Sequence, residues 1–165
     1  MAGASFPDAV SRPMVAVADR ALRCRPLMRA PIALYRAGLG FLFGARLLML
    51  EHTGRRTGLP RYVALEVVDH PDPNVYVVAS GFGKKAQWFR NVMAHPDVRV
   101  WTGGRRGVPA SARRMATAEA DATLRRYIAA HPRAWDAMSA VLDRSIDGQV
   151  APPDTKLPMV ELRIT

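Results

Sequence analysis

Two patterns of apolar positions divide the chain near residue 40. Across residues 10 to 38, apolar side chains recur at helical spacing with basic residues between them, and Pro26 and Pro31 interrupt the run. This pattern predicts two short amphipathic helices, which form an N-terminal helical extension over residues 1–40. From Arg46 onward the pattern becomes that of strands, which predicts one β-rich domain over residues 41–165.

The β-rich part contains apolar runs that are bounded by turn residues. RLLMLEHT, RYVALEVVDH and NVYVVAS follow one another with Gly, Pro or Asn between them, and a further hairpin surrounds Gly103 and Gly104. Helices are predicted at AQWFRNVMA, after an N-cap at Thr117, and through Trp135, while MVELRIT is the last strand. About six antiparallel strands with helices at the ends of a barrel make the fold mainly β with helices, or α+β.

Composition narrows the class of partner. Lysine and arginine number 24 against 14 aspartates and glutamates, so the net charge of +10 favours nucleic acid, a membrane surface or an anionic small molecule. A single cysteine, Cys24, excludes an internal disulfide and fits a reducing compartment. We see no signal-peptide pattern, and GLGFLFGARLLML is too short and too interrupted to span a bilayer. A cytoplasmic protein is expected, with membrane association left open for the basic N-terminal segment.

The sequence lacks the residues that several kinds of active site require. The histidines are far apart and no Cys-x-x-Cys or His-x-x-x-His pair is present, so no metal site is expected. No Gly-x-Ser-x-Gly elbow supports a hydrolase. SGFGKKA matches the outline of a dinucleotide-binding loop, but the strands before it are hairpin-linked and no acidic residue ends the next strand. A Rossmann fold is therefore not expected.

The turn GRRTG at residues 54–58 is the first candidate binding site. Gly54 and Gly58 are expected to take positive φ, so that the turn holds its arginines outward with the Thr57 hydroxyl beside them. The arginines at this rim are Arg55, Arg56 and Arg61. Guanidinium groups suit a phosphate or several carboxylates, because each can bind two oxygen atoms at once. The alternative is a solvated hairpin tip.

The segment ASGFG at residues 79–83 is the second candidate. It follows an apolar strand, and its small residues leave backbone N–H and C=O groups open to close approach by a planar ring. The alternative is an ordinary turn between a strand and a helix. Taken alone, the residues predict a small β-barrel with an anion site.

Three stretches of the chain carry a resemblance to a known family. HTGRRTGLPR, VYVVASGFGKKAQWFRNVMAHPDVRV and YIAAHP, between residue 46 and about residue 131, resemble the deazaflavin-dependent nitroreductase family. That family has a split β-barrel fold of the flavin-reductase or FMN-binding type and binds coenzyme F420. It transfers a hydride between the deazaflavin C5 and an electron-poor substrate. The resemblance therefore implies an F420-dependent oxidoreductase that acts on an enone, a quinone or a nitro compound.

The resemblance also implies which residues hold the coenzyme. The coenzyme's tail carries a phosphodiester and glutamates, which the three arginines of the rim would bind while Gly54 and Thr57 shape the turn. The ring would lie against Ala79, Ser80 and Gly81, and the Ser80 hydroxyl would orient the substrate or the ring carbonyl. The remaining cofactor-binding residues are Phe82, Gly83, Lys84, Lys85, Trp88 and Asn91.

The resemblance is weaker where the family contacts its substrate. A tyrosine-rich segment of the better-known members is replaced here by HPRAWDAMSAVL, so Trp135 and Met138 are expected to line a pocket for an apolar substrate. Besides this small molecule, a second copy of the chain or a lipid surface is a candidate partner, and nucleic acid is not expected.

Two alternatives remain open from the sequence. The same barrel could bind FMN, although three arginines exceed what one phosphate requires. The chain could also be a non-enzymatic binder of a cofactor or of nucleic acid, but it lacks a recognition helix or stacking motif.

Overall fold

A computed structural model describes residues 32–33, which are helical, and residues 46–165. The strands are β1 (Leu47–Thr53), β2 (Pro60–Asp72), β3 (Val75–Ala79), β4 (Asp97–Thr102), β5 (Arg105–Arg114) and β6 (Met159–Ile164). The helices are a short 3₁₀ helix (Gly83–Lys85), α1 (Gln87–Ala94), α2 (Thr117–Ala130) and α3 (Pro132–Ser145). The predicted helical extension over residues 1–40 lies, apart from 32–33, outside the described residues, so the predicted domain boundary stays a prediction.

The six strands form a closed antiparallel barrel in the order β1-β2-β3-β6-β5-β4, with β4 pairing back onto β1. Consecutive strands β1, β2 and β3 pair as a meander, and β4 and β5 form the predicted hairpin. The last strand, β6, inserts between β3 and β5 and so completes the barrel. The predicted barrel of antiparallel strands is therefore confirmed.

Alternate residues of the strands fill the barrel, since successive side chains of a strand point to opposite faces. Leu48 and Leu50 of β1 and Val160 and Leu162 of β6 are fully buried in one apolar cluster. Helix α1 adds Trp88 to the same cluster. The barrel core thus fixes α1 beside the turn that joins β1 and β2.

Helices α2 and α3 pack against the barrel through a second apolar cluster, the outer apolar cluster. Leu124 of α2 and Leu142 of α3 are buried there with Val77 and Met159 of the strands. Asp121 of α2, also buried, anchors the loop before β6, because its carboxylate accepts backbone N–H groups at 2.8 and 2.9 Å. The two donors are Asp154 and Thr155.

The predicted N-cap at Thr117 is wrong by one residue. Helix α2 begins at Thr117, and the capping position belongs to Ala116. The Glu119 carboxylate accepts the Ala116 N–H at 2.7 Å, so a side chain from the first turn satisfies this donor instead of a hydroxyl at the cap.

Among the helices that the structure describes, none is long and apolar enough to cross a membrane.

Candidate functional site

The turn between β1 and β2 is closed by backbone hydrogen bonds. The N–H of Gly58 donates to the carbonyl of Gly54 at 2.7 Å, and the N–H of Gly54 donates to the carbonyl of Leu59 at 2.8 Å. Gly58 has φ +67°, which confirms the prediction for that residue. The same prediction for Gly54 is wrong, since Gly54 is not among the positive-φ glycines. Space favours glycine at position 54, because a Cβ there would lie 2.8 Å from Thr57 Oγ1 and 3.2 Å from the Leu59 carbonyl oxygen.

A cleft of about 910 Å³ opens between this turn, the start of β2 and the N-terminal part of α1. Four cationic side chains line it, and no acidic residue is among the described residues that do so. The cations are Arg55, Arg56, Arg61 and Lys85. Its apolar surface includes Trp88, Val63 and Phe82, the last of which is 62% exposed. This arginine cleft therefore combines an anion-binding rim with a surface on which a ring can lie.

A chain of hydrogen bonds holds Arg55 in this cleft. Arg55 Nη1 donates to Gln87 Oε1 at 3.0 Å and to Asn91 Oδ1 at 2.9 Å, and the Arg55 N–H donates to the same Asn91 oxygen at 3.2 Å. Gln87 and Asn91 are four residues apart on α1, so both face the turn. Asn91 Nδ2 in turn donates to His52 Nδ1 at 3.1 Å, because an amide nitrogen has no acceptor capacity.

His52 is the innermost member of this chain. Its side chain is buried, and burial together with the nearby Arg61 guanidinium lowers the pKa of His52 to about 4. The ring is therefore neutral at pH 7, as its acceptor role toward Asn91 requires. His52 is not among the site residues predicted from the sequence. It could have been found, because it continues the inward-facing series of Leu48 and Leu50 up to the turn that carries the arginines.

The depressed pKa predicts a specific pH dependence of stability. Between pH 6.5 and pH 4 the unfolded chain takes up a proton at His52 while the folded protein does not, so the free energy of unfolding falls as the pH is lowered. The loss is expected to be about 1.5–3 kcal/mol, with the lower figure reflecting solvent screening. Above pH 6.5 this contribution is constant.

Urea unfolding at pH 7.5, 5.5 and 4.5 measures this effect. Comparison with His52→Asn isolates the histidine, because the carboxylates titrate alike in both proteins. The difference in unfolding free energy between the two proteins should shift in favour of the variant as the pH falls. A difference that is constant with pH would contradict a neutral, buried His52.

Of the ASGFG segment, Phe82 lines the arginine cleft and the other four residues do not. Ser80 is fully buried, and its hydroxyl donates to the Gly83 carbonyl at 2.7 Å. The hydroxyl therefore closes its own turn, and its role in orienting a substrate or ring stays a prediction. Ala79 packs against the outer apolar cluster, and a Cβ at Gly81 would lie 3.4 Å from Leu142 Cδ2. Ala79, Ser80 and Gly81 therefore do not line the arginine cleft.

A second cleft, of about 420 Å³, adjoins the first and shares Phe82 and Lys85 with it. Gly83 and Lys84 line this second cleft instead of the first. Trp135 and Met138 line neither cleft, because they pack against the outer apolar cluster. Of the predicted site residues, the structure brings the following together around the arginine cleft: Gly54, Arg55, Arg56, Thr57, Arg61, Phe82, Lys85, Trp88 and Asn91.

Besides His52, the sequence analysis missed several residues of the arginine cleft. They are Tyr62, Val63, Ala86 and Gln87. Gln87 could have been found, because it lies one helical turn before Asn91 and therefore on the same face of α1. Within the described part of the chain, no three His, Cys, Asp or Glu side chains are grouped so that they could hold a metal ion.

Comparisons with known proteins identify a family. The model of a family described as F420H(2)-dependent quinone reductase matches residues 27–152. A curated relative from Mycobacterium tuberculosis (strain ATCC 25618 / H37Rv), named as the F420H(2)-dependent quinone reductase Rv3178, is 37% identical over 73 residues. That alignment covers 43% of this chain and 60% of the relative's length.

Solved structures with the same fold support the architecture. One described as a domain-swapped dimer has a TM-score of 0.54 at 20% identity, covering 92% of this chain and 99% of that one. Another, described as an F420-H2 dependent reductase (FDR-A), has a TM-score of 0.50 at 22% identity, covering 72% of this chain and 94% of that one. The predicted split-barrel fold is confirmed.

Proposed function

The chain belongs to the F420H(2)-dependent quinone reductase family, and from this premise we propose that it reduces a quinone with coenzyme F420 bound in the arginine cleft. The family membership assigns F420 as the cofactor and makes the chain an F420-dependent reductase. The choice of a quinone over an enone or a nitro compound is part of the proposal. So is the assignment of individual residues to the coenzyme.

The donor groups of the cleft fit the anionic tail of the coenzyme. Arg56 and Arg61 are exposed and form no ion pair with any residue that the structure describes, so their charge is available to an external anion. Arg55 is already oriented by Gln87 and Asn91, which lowers the entropy lost when it binds a phosphate or carboxylate. The convergence of these cations without an acid in the cleft is the observation that carries the proposal.

The apolar wall of the cleft fits the ring of the coenzyme and its reaction partner. Trp88 is held by the barrel core, where its ring meets Phe89 edge to face with centroids 6.0 Å apart. Phe82, at the junction of the two clefts, exposes an aromatic surface to solvent. Reduced F420 supplies the hydride when it is bound. The protein's own residues bind the tail, support the ring and exclude water from one face of it.

Titration with F420 and, separately, with FMN tests this proposal. Trp88 lines the cleft, so quenching of tryptophan fluorescence should report binding, and F420 should bind more tightly than FMN at both low and high salt. Reduced F420 should then be oxidised when menadione is added, as followed by the return of deazaflavin absorbance. Enone and nitro acceptors, assayed in parallel, rank the substrate classes. Preference for FMN, or binding of neither compound, would contradict the cofactor site.

A further inference from the structure

His52 has no place in the proposed chemistry, yet it is bonded to the residue that orients the anion site. It is 5% exposed and lies at the end of β1, two residues before the turn. Its contact with Asn91 joins parts of the chain 39 residues apart. A buried ring nitrogen needs a hydrogen-bond partner, and the partner of His52 Nδ1 is the same residue that binds Arg55.

The direction of the hydrogen bonds supplies that explanation. A side-chain amide has an acceptor oxygen and a donor nitrogen, and exchanging them reverses every bond that it makes. Asn91 Oδ1 faces two donors of Arg55, while its Nδ2 faces His52 Nδ1. If the amide were reversed, its N–H groups would face the Arg55 donors and its oxygen would face the lone pair of the ring nitrogen. With the proton of the neutral ring on Nε2, His52 Nδ1 is an acceptor, and it favours the same amide orientation that the two Arg55 donors require.

We propose that His52 is a positioning residue for the anion site, acting through the Asn91 amide to hold the Arg55 guanidinium toward the anionic tail of the coenzyme. This inference rests on the proposed function for the identity of the anion. The contacts that carry it are independent of any ligand. Arg55 presented in this way makes its bonds to an anion without first being reoriented, which raises affinity for the tail and not for the ring.

Substitutions at position 52 separate positioning from packing. His52→Asn carries an acceptor oxygen at the position of Nδ1, whereas His52→Leu fills similar space with no acceptor. His52→Leu is expected to raise the dissociation constant of F420 about tenfold, because it removes the one hydrogen bond that orients the Asn91 amide. His52→Asn should bind F420 within about threefold of the wild type, because a typical hydrogen bond is retained. His52→Gln, polar but with its acceptor one bond further out, should resemble the leucine variant.

A ligand without the anionic tail separates positioning of the anion site from a general structural effect of the substitution. The free deazaflavin chromophore, which has neither phosphodiester nor glutamates, should bind the wild type and His52→Leu equally. In an Arg55→Gln background, His52→Leu should cause no further loss of F420 affinity. Equal weakening of both ligands, or an undiminished effect in the Arg55→Gln background, would overturn the positioning role.

A second measurement keeps this inference distinct from the identity of the coenzyme. The side-chain N–H₂ protons of Asn91 should exchange slowly with solvent in ¹⁵N-labelled wild type and His52→Asn, and rapidly in His52→Leu. Slow exchange in all three would overturn the inference even if F420 binds. If F420 fails to bind the wild type, the proposed function falls, and the exchange pattern alone decides whether His52 orients Asn91. Circular dichroism confirms that each variant is folded.

Discussion

Replacement of Arg55 and Arg56 by alanine together is expected to weaken F420 binding by about 100-fold or more. A hydrogen bond to a charged group contributes about 1.5–3 kcal/mol, so two such contacts correspond to about 3–6 kcal/mol of binding free energy. The barrel should stay folded, because the turn is closed by backbone bonds of Gly54 and Gly58 that the substitutions leave in place. The dissociation constant from fluorescence titration measures the effect.

A matched control separates local contacts from overall charge. Arg125→Ala with Arg144→Ala removes the same two charges from α2 and α3, and neither residue lines the arginine cleft. Long-range attraction between exposed charges is screened within about 10 Å at ordinary salt, so the control should change the dissociation constant little. A folded Arg55 and Arg56 variant that binds F420 as well as the control does would remove the tail site from this turn.

The arginine turn could be predicted from the sequence because its determinants are local. Gly58 takes the left-handed conformation that the hairpin needs, and the arginines are adjacent to it in the chain. The barrel strands could also be predicted, since apolar residues alternate along each strand as its side chains point into and out of the barrel. The reason for glycine at position 54 was predicted wrongly. Glycine is favoured there by the space beside the Thr57 side chain and not by a positive φ, and the sequence does not show where that side chain lies.

Other features of the site depend on packing that the sequence does not show. The direction of the Ser80 hydroxyl depends on how its own turn closes, and here the Gly83 carbonyl accepts it. The bond between His52 and Asn91 could not be read from spacing, because it forms only when α1 packs beside the end of β1. Trp135 is aromatic and follows the family motifs, yet the packing of α3 on the barrel turns it toward the outer cluster.

Asp121 stabilises the loop that precedes β6, and it does not line the arginine cleft. Asp121→Ala removes the acceptor of two backbone N–H groups, of which the one from Thr155 is buried. Each bond to a charged acceptor is worth about 1.5–3 kcal/mol, so the free energy of unfolding should fall by about 3–5 kcal/mol. The loop leads directly into β6, the strand that joins β3 to β5, so loss of its anchor weakens the closure of the barrel.

Urea unfolding of Asp121→Ala and Asp121→Asn measures this contribution. The asparagine variant keeps one acceptor oxygen and should lose about half as much stability as the alanine variant. Asp136→Ala, on the exposed side of α3, makes the same chemical change without a buried partner and should stay within about 0.5 kcal/mol of the wild type. Below the melting temperature all of these variants should bind F420 normally, because Asp121 does not line the arginine cleft. Equal stability of the two alanine variants would mean that solvent replaces the Asp121 carboxylate at no cost, and the loop would not depend on it.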